Sequence, residues 1–129
     1  LVVKGILDAE DAVQAFKMGA DGIVVSNHGG RQLDGASSTA KVIASVREAV
    51  GPQVTVLADG GVRSGLDVLR MLALGASGVQ IGRPWVYALA GRGQAGVAHV
   101  LELFEAEIRV AMALCGVTNI RAITRDLLA

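Results

Sequence analysis

The chain has 129 residues, which suits one ordinary domain with a buried core. Twelve Lys and Arg side chains balance twelve Asp and Glu side chains, so no net charge draws the chain to nucleic acid or to an anionic membrane surface. Hydrophobic residues make up 52% of the sequence but aromatic residues only 3%, a composition typical of aliphatic parallel strands covered by helices.

Four short, β-branched apolar runs predict strands that are buried on both faces. Between them lie three segments with apolar residues at helical spacing, the first capped by Asp8 and the third by Ser64. Because strands and helices alternate, we expect an α/β fold with right-handed crossovers and a parallel sheet. The predicted strands are Leu1–Val3, Gly22–Val25, Val54–Leu57 and Gly78–Ile81, and the predicted helices cover residues 8–19, 38–50 and 64–75.

Beyond the fourth run the pattern becomes helical. Pro84 is expected to open a helix toward Ala90, and a glycine-rich break follows over residues 91–96. A long amphipathic helix is predicted over residues 97–114, and a short one in the tail, 118–129. Apolar residues at helical spacing define the faces of these helices. Val13 and Phe16 share a face of the first helix, Val42, Ile43, Val46 and Val50 are expected to point inward from the second, Leu69, Leu72 and Ala73 to face the sheet from the third, and Val100, Leu101, Phe104, Ile108 and Ala111 to form one stripe on the long helix.

Four strand–helix units make half of a (β/α)8, or TIM, barrel, which normally takes about 250 residues. Since the chain begins with Leu1, we expect it to be the C-terminal half of such a barrel. It is predicted to be one domain, with the half barrel in residues 1–90 and a C-terminal helical segment in residues 91–129. The turns into the second and fourth predicted strands resemble each other, through convergence or through duplication.

Cysteine usage and hydropathy bear on the compartment. The single Cys115 cannot form an internal disulfide, and no apolar run reaches the roughly 18 residues needed to cross a bilayer. We therefore expect a cytoplasmic protein, with peripheral attachment to the inner membrane left open. We expect no metal site.

Polar clusters follow all four predicted strands. Because ligands gather at the carboxyl ends of parallel strands, these clusters predict one binding site at that edge. The clusters are Lys4-Gly5, Ser26 to Arg31, Asp59 to Arg63, and Gly82-Arg83.

Two of these clusters suit a phosphate. Gly60 and Gly61 let the backbone N–H groups approach a ligand closely, and Arg63 adds a bidentate cation. Gly82 and Arg83 repeat the arrangement at the start of a predicted helix, whose N–H groups favour an anion. A glycine-rich turn with an arginine is often only a turn, but two neighbouring ones favour the binding interpretation.

The cluster after the second strand suits acid–base chemistry. His28 and Arg31 lie three residues apart in a glycine-rich loop, which allows their side chains to converge. A neutral imidazole accepts a proton near neutral pH, and a guanidinium matches a carboxylate. The pair therefore predicts a substrate with an acidic group and a removable proton, whereas an isolated histidine would more often be structural.

Lys4 and Asp59 have weaker predictions. Lys4 alone would be interpreted as a solvated lysine, and only the neighbouring clusters favour a role in the site. Asp59 is expected either to accept hydrogen bonds from sugar or ribityl hydroxyls or to cap the turn that follows it.

The string from Ser26 to Asp34 closely resembles the signature of the FMN-dependent L-2-hydroxy acid dehydrogenase and oxidase family. Residues 58–63 and 81–83 resemble its phosphate-binding turns, and residues 3–5 its lysine strand. The resemblance covers the whole chain, and the tail is most similar to the respiratory L-lactate dehydrogenases.

This resemblance implies an enzyme that oxidises an L-2-hydroxy acid, such as L-lactate, with FMN. His28 would be the base and Arg31 would hold the substrate carboxylate. Lys4 would lie near the flavin pyrimidine edge, Ser26 would contact the flavin, and Asp59 the ribityl chain. The phosphate would be held by Gly60, Gly61, Arg63, Gly82 and Arg83.

Other features implied by the family are absent from this sequence. The carboxylate that orients the histidine and the tyrosines that contact the substrate lie upstream in the family, so the isolated segment is expected to be inactive. The electron acceptor is left open among quinone, cytochrome and oxygen. Two alternatives remain: a self-associating half barrel that binds FMN or phosphate without turnover, and another FMN barrel enzyme such as an isomerase. Unpaired rim strands favour a homo-oligomer.

Overall fold

A computed structural model describes residues 1–128 of the chain. Its sheet has four parallel strands in the order β1-β2-β3-β4, so each crossover moves the chain by one strand in the same direction. The strands are β1 (Val2–Ile6), β2 (Gly22–Val25), β3 (Thr55–Ala58) and β4 (Gly78–Val79), and the helices are α1 (Ala9–Lys17), α2 (Thr39–Val50), α3 (Gly65–Ala73) and α4 (Arg83–Leu114). Three short 3-10 turns cover His28–Gly30, Ile120–Ala122 and Arg125–Leu127.

The core lies between the central strands and the helices that cover them. All four residues of β2 are buried, as expected of a strand with neighbours on both edges and both faces. Ile43, Val46 and Val50 recur at helical spacing along α2 and are buried against the sheet. The alternation of strands and helices, the α/β class and the parallel sheet predicted from the sequence are confirmed.

The helices begin and end where the capping residues are placed. The Asp8 side chain accepts a hydrogen bond from the Glu10 N–H at the start of α1. Gly19 and Gly75 follow α1 and α3 with φ of 95° and 110°, a left-handed conformation that favours glycine. These matching turns bring each chain segment directly from a helix into the next strand.

The strand bounds differ from the prediction at both rims. β1 continues to Ile6 instead of ending at Val3, because Gly5, with φ of 102°, forms an irregularity that lets pairing with β2 resume. Lys4 therefore lies within the strand and not in a loop after it. β4 is shorter than predicted, with only Gly78 and Val79 paired to β3.

The helical part also corrects the prediction. The expected break over residues 91–96 is confined to Arg92 and Gly93, the two residues with non-helical angles inside α4. Phe16 and Leu101, which lie on the predicted apolar faces of their helices, are 40% and 54% exposed. The tail forms two 3-10 turns instead of one helix, and Ala129, the end of that predicted helix, lies outside the described residues. Of the helices within residues 1–128, none combines the length and apolarity that crossing a bilayer requires.

The Arg47 side chain joins several chain segments at the amino-terminal end of the sheet. The Arg47 guanidinium on α2 donates to the carbonyl oxygens of Gly75, Gly51 and Val54 at 2.8 to 2.9 Å, and to Ser77 Oγ at 2.8 Å. Burial lowers the pKa of Arg47, because desolvation disfavours the charged form. This side chain joins α2 to the segments that enter β3 and β4, at the end opposite the carboxyl ends of the strands.

Candidate functional site

A cleft of about 800 Å³ lies at the carboxyl ends of the strands. Residues from the ends of all four strands line it, so the four polar clusters predicted from the sequence face one space. Ser26, which is 2% exposed, is the one predicted site residue that does not line the cleft. The predicted residues in the lining are Lys4, His28, Arg31, Asp59, Gly60, Gly61, Arg63, Gly82 and Arg83.

The loop that follows β2 carries His28 in an unusual conformation. His28 has φ of 55°, a left-handed value that residues with a side chain seldom adopt. Its backbone N–H donates to Ser26 Oγ at 3.1 Å, and the next N–H, of Gly29, donates to Asn27 Oδ1 at 3.0 Å. Two side chains at the end of β2 thus shape the turn that presents the imidazole to the cleft.

Lys4 connects the ends of the three strands β1, β2 and β3. Its ammonium donates to Ser26 Oγ at 3.0 Å and forms an ion pair with Asp59 Oδ2. The other oxygen, Asp59 Oδ1, is buried and lacks a hydrogen-bond partner within residues 1–128. A buried acceptor without a partner is uncommon, and it marks a place where a ligand donor would be accommodated.

The turn after β3 needs two glycines. Gly60 and Gly61 have φ of 95° and 79°, in the region that favours glycine. A Cβ on Gly60 would lie 2.7 Å from Asn27 Oδ1 and 3.1 Å from Thr39 Oγ1, whereas one on Gly61 would meet no atom within 4 Å. Gly60 therefore packs under the loop that carries His28, and Gly61 leaves open space beside the backbone at the cleft.

The two helices that begin at the cleft differ in their free donors. At the start of α3, the Gly65 N–H donates to Glu107 at 2.6 Å and the Asp67 N–H donates to Ser64 Oγ at 3.2 Å. At the start of α4, Gly82 occupies the cap position and provides no capping side chain. Pro84 has no N–H, and the N–H groups of Arg83 and Trp85 beside it have no capping side chain, so these two are available for an anion.

Cations predominate around the cleft. Lys4, Arg31, Arg63 and Arg83 line it, and Asp59 is the one acidic side chain in the lining that the structure describes. Arg83 Nη2 also donates to the Gly29 carbonyl at 3.4 Å, which links the start of α4 to the loop after β2. The arrangement suits a ligand with more than one anionic group.

Sequence reasoning overlooked several residues of the site. Asn27 supports both neighbouring turns, as its contacts with Gly29 and Gly60 show. Trp85 and Tyr87 line the mouth of the cleft and are 39% and 69% exposed. They are the single Trp and the single Tyr of the chain and follow Pro84 directly, a signal that the sequence did contain. Within residues 1–128, no three His, Cys, Asp or Glu side chains are grouped as metal ligands would be.

The chain matches the model of one family over residues 1–129, the family described as FMN-dependent dehydrogenase. It is 62% identical over 129 residues to an L-lactate dehydrogenase of Caulobacter vibrioides, covering 100% of this chain and 34% of the relative. It is 61% identical over 126 residues to an L-lactate dehydrogenase of Pseudomonas putida, covering 98% of this chain and 33% of the relative. The chain thus spans about a third of the length of these curated relatives.

Solved structures of mandelate oxidase are similar in fold. A variant with (S)-mandelic acid matches at a TM-score of 0.93 and 53% identity, covering 96% of this chain and 37% of that one. A variant with the monooxide FMN adduct matches at a TM-score of 0.92 and 53% identity, covering 96% of this chain and 40% of that one.

Proposed function

The chain belongs to the FMN-dependent dehydrogenase family, and we propose that the protein carrying it oxidises an L-2-hydroxy acid with FMN, most specifically L-lactate to pyruvate. The observation that supports this most directly is that one cleft is lined by both His28 and Arg31 and by the glycine and arginine turns of two neighbouring strands. A base, a carboxylate anchor and a phosphate-binding region are thereby close enough to serve one substrate and one cofactor. The L-lactate dehydrogenases among the relatives support the choice of substrate.

We propose that the sheet is half of an eight-stranded barrel. The strands follow one another in order and wind in one direction, and both rim strands have an unpaired edge in residues 1–128. The remaining two-thirds of the relatives' length would contribute the other strands. The upstream groups expected to orient the histidine would belong to that part, so the activity is proposed for the full-length protein.

The residues of the cleft fit FMN. Asp59 Oδ1 is an unpartnered buried acceptor suited to a ribityl hydroxyl, and Gly61 leaves the backbone open to a close ligand. The uncapped start of α4 and the cations around it suit the phosphate. The residues proposed to hold FMN are Lys4, Ser26, Asp59, Gly60, Gly61, Arg63, Gly82 and Arg83. Bound FMN would supply the acceptor for the two electrons that leave the hydroxy acid.

The side chains of the chain would bind the substrate and move its proton. The Arg31 guanidinium would hold the carboxylate through paired hydrogen bonds, which orients the carbon that carries the hydroxyl. An unprotonated ring nitrogen of His28 would accept a proton as the substrate is oxidised. The Lys4 ammonium, which pairs with Asp59, would favour negative charge in its neighbourhood.

Flavin reduction tests this proposal. The full-length protein is mixed anaerobically with L-lactate, and the flavin absorbance is followed. We expect rapid bleaching with L-lactate and none with D-lactate. When Arg31 holds the carboxylate, only the L enantiomer would present its hydroxyl and its α hydrogen to His28 and the flavin in the order that oxidation requires. If no L-2-hydroxy acid bleaches the flavin, the proposed oxidation is wrong, and a different FMN barrel reaction such as isomerisation takes its place.

A second proposal concerns assembly. The unpaired edges of β1 and β4 favour self-association, since an exposed strand edge pairs readily with another chain. We propose that the segment of residues 1–129, produced alone, forms a homo-oligomer that binds FMN without turnover. Size measurement with FMN titration tests it, and a monomer that does not bind FMN would contradict it.

A further inference from the structure

Ser26 occupies a connecting position beneath the cleft. It directly follows β2 and is 2% exposed, and its hydroxyl oxygen accepts two hydrogen bonds. One comes from Lys4 Nζ at 3.0 Å and the other from the His28 backbone N–H at 3.1 Å. A single buried oxygen therefore contacts both a cation of the cleft and the backbone of the proposed base.

The His28 backbone needs such a contact. Among residues 1–128, His28 is the one residue other than glycine with a positive φ. L-residues with a side chain disfavour this region, so the surrounding structure must hold it there. The hydrogen bond to Ser26 Oγ acts on the His28 N–H itself, whereas the Asn27 side chain acts one residue later, on Gly29.

We propose that Ser26 is a positioning residue for His28: its hydroxyl holds the histidine backbone in the left-handed conformation and so directs the imidazole toward the cleft. The proposal rests on the proposed role of His28 as base, and it goes beyond the expectation that Ser26 contacts the flavin. Because Lys4 donates to the same oxygen and pairs with Asp59, the position of the base is also tied to β1 and β3.

The Ser26 hydroxyl can position His28 and also contact a ligand. A hydroxyl has two acceptor positions and one donor, and both acceptor positions of Ser26 are used by Lys4 and His28. Only its O–H proton is left, so any contact of Ser26 with a ligand has Ser26 as the donor. Positioning of His28 and contact with a ligand are therefore compatible in one side chain.

The test uses the full-length protein with its histidines labelled with ¹⁵N. Ser26→Ala removes the hydroxyl and Ser26→Thr keeps it. Ser45→Ala is the control, since within residues 1–128 the Ser45 hydroxyl donates a hydrogen bond to the Val42 carbonyl on its own helix, α2, and to no other residue. Hydrogen exchange of the His28 amide is compared with that of His99, which lies within α4 and serves as the internal reference. FMN affinity, kcat and KM are measured for each variant.

In Ser26→Ala we expect hydrogen exchange of the His28 amide to accelerate roughly three- to tenfold, because one neutral hydrogen bond is lost. Exchange of the His99 amide should be unchanged. We expect kcat to fall by a similar factor or more, with KM for the hydroxy acid nearly unchanged, because Arg31 still holds the carboxylate. Ser26→Thr should restore both values toward those of the unmodified protein, and Ser45→Ala should change neither.

Unchanged exchange at His28 in Ser26→Ala would overturn the proposal, even if FMN affinity fell, because Ser26 would then be a cofactor contact alone. A rise in exchange with unchanged kcat would overturn it as well. Failure of the proposed function appears differently, as an absence of flavin reduction in the unmodified protein whatever the exchange rates are.

Discussion

Lys4 and Asp59 form an ion pair between the ends of β1 and β3, and the pair uses only one oxygen of the carboxylate. The second oxygen is buried and has no partner within residues 1–128. Lys4 therefore compensates the charge of Asp59 through one oxygen, while the other oxygen has no partner in the described part of the chain. This division between the two oxygens is what we expect of a residue that accepts a hydrogen bond from a ligand.

Replacement of Asp59 tests that division. Asp59→Asn keeps one acceptor oxygen, replaces the other by an NH2 donor, and removes the negative charge that pairs with Lys4. We expect the Kd for FMN to rise roughly ten- to hundredfold, because hydrogen bonds to charged groups contribute about 1.5–3 kcal/mol. Fluorescence titration measures it. Asp34→Asn is the control, since in the described part of the chain the Asp34 side chain accepts a hydrogen bond from the neighbouring Gly35 N–H alone. Equal effects of the two changes would contradict the role proposed for Asp59.

Arg83 and the uncapped start of α4 predict a phosphate-specific effect. In Arg83→Gln we expect weaker binding of FMN, by roughly tenfold or more for the loss of a charge-assisted hydrogen bond, and unchanged binding of riboflavin. Isothermal titration with the two flavins measures the difference. Arg109→Gln, which breaks an exposed pair with Glu105 on α4, should alter neither affinity. A parallel loss of riboflavin affinity would mean that Arg83 acts on the isoalloxazine region or on folding.

Arg31 predicts a substrate-specific effect. Arg31→Lys keeps the charge but loses the planar pair of donors, so we expect kcat/KM for L-lactate to fall roughly tenfold or more. FMN affinity should stay unchanged, which separates this residue from Arg83. Steady-state kinetics with an artificial electron acceptor measures the first quantity and flavin titration the second. Full activity of Arg31→Lys would refute a paired contact with the carboxylate.

Because α3 and α4 pack closely where they cross, replacing two of the glycines by alanine should have opposite effects on stability. A Cβ on Gly65 would lie 2.5 Å from the Ile108 backbone nitrogen and 2.6 Å from the Phe104 carbonyl oxygen. Gly65→Ala should therefore lower the free energy of unfolding by about 1–3 kcal/mol, the usual cost of overpacking. Gly91→Ala on α4, where a Cβ meets no atom within 4 Å, should raise stability by roughly 0.5–1 kcal/mol. Denaturant unfolding measures both, and equal effects would contradict the close approach of the helices.

Arg47 predicts a stability effect far from the cleft. Arg47→Met leaves the carbonyls of Gly51, Val54 and Gly75 without their donor, so we expect a loss of about 1.5–3 kcal/mol in the free energy of unfolding. Arg70→Met, which breaks an exposed pair with Asp67, should cost about 1 kcal/mol or less. Thermal unfolding compares them, and intact FMN affinity in Arg47→Met would separate this structural role from the site.

Much of the fold follows from local signals. β2 was predicted with its observed bounds, because its continuous apolar run and the flanking glycine and polar residues all agree. The first and third helices begin at the predicted caps, Asp8 and Ser64. Burial is less predictable: Leu101 lies on the predicted apolar stripe of α4 and is 54% exposed, since helical spacing identifies an apolar face without showing whether anything covers it.

The residue types of the site were predictable from the sequence, whereas the hydrogen bonds and ion pairs between them were less so. Glycines and cations after successive strands indicate an anion site because parallel strands bring their carboxyl ends to one edge. Nothing in the local pattern indicates that Lys4 donates to Ser26 or pairs with Asp59, since these two contacts join residues 22 and 55 positions apart. The contact of Ser26 with the His28 N–H is short-range, but it was not predictable either, because it depends on a left-handed backbone at His28 that the residue type does not indicate.

The sequence by itself determined the parallel α/β class, the strand ends that carry the predicted site residues, and the residue types found there. These features are local, because hydrophobic periodicity, helix caps and glycines act over a few neighbouring residues. Within residues 1–128, the tertiary structure decided which oxygen of Asp59 lacks a partner and that Lys4 donates to both Asp59 and Ser26. These contacts depend on side chains from three different strands, and only the packed sheet brings them within hydrogen-bonding distance.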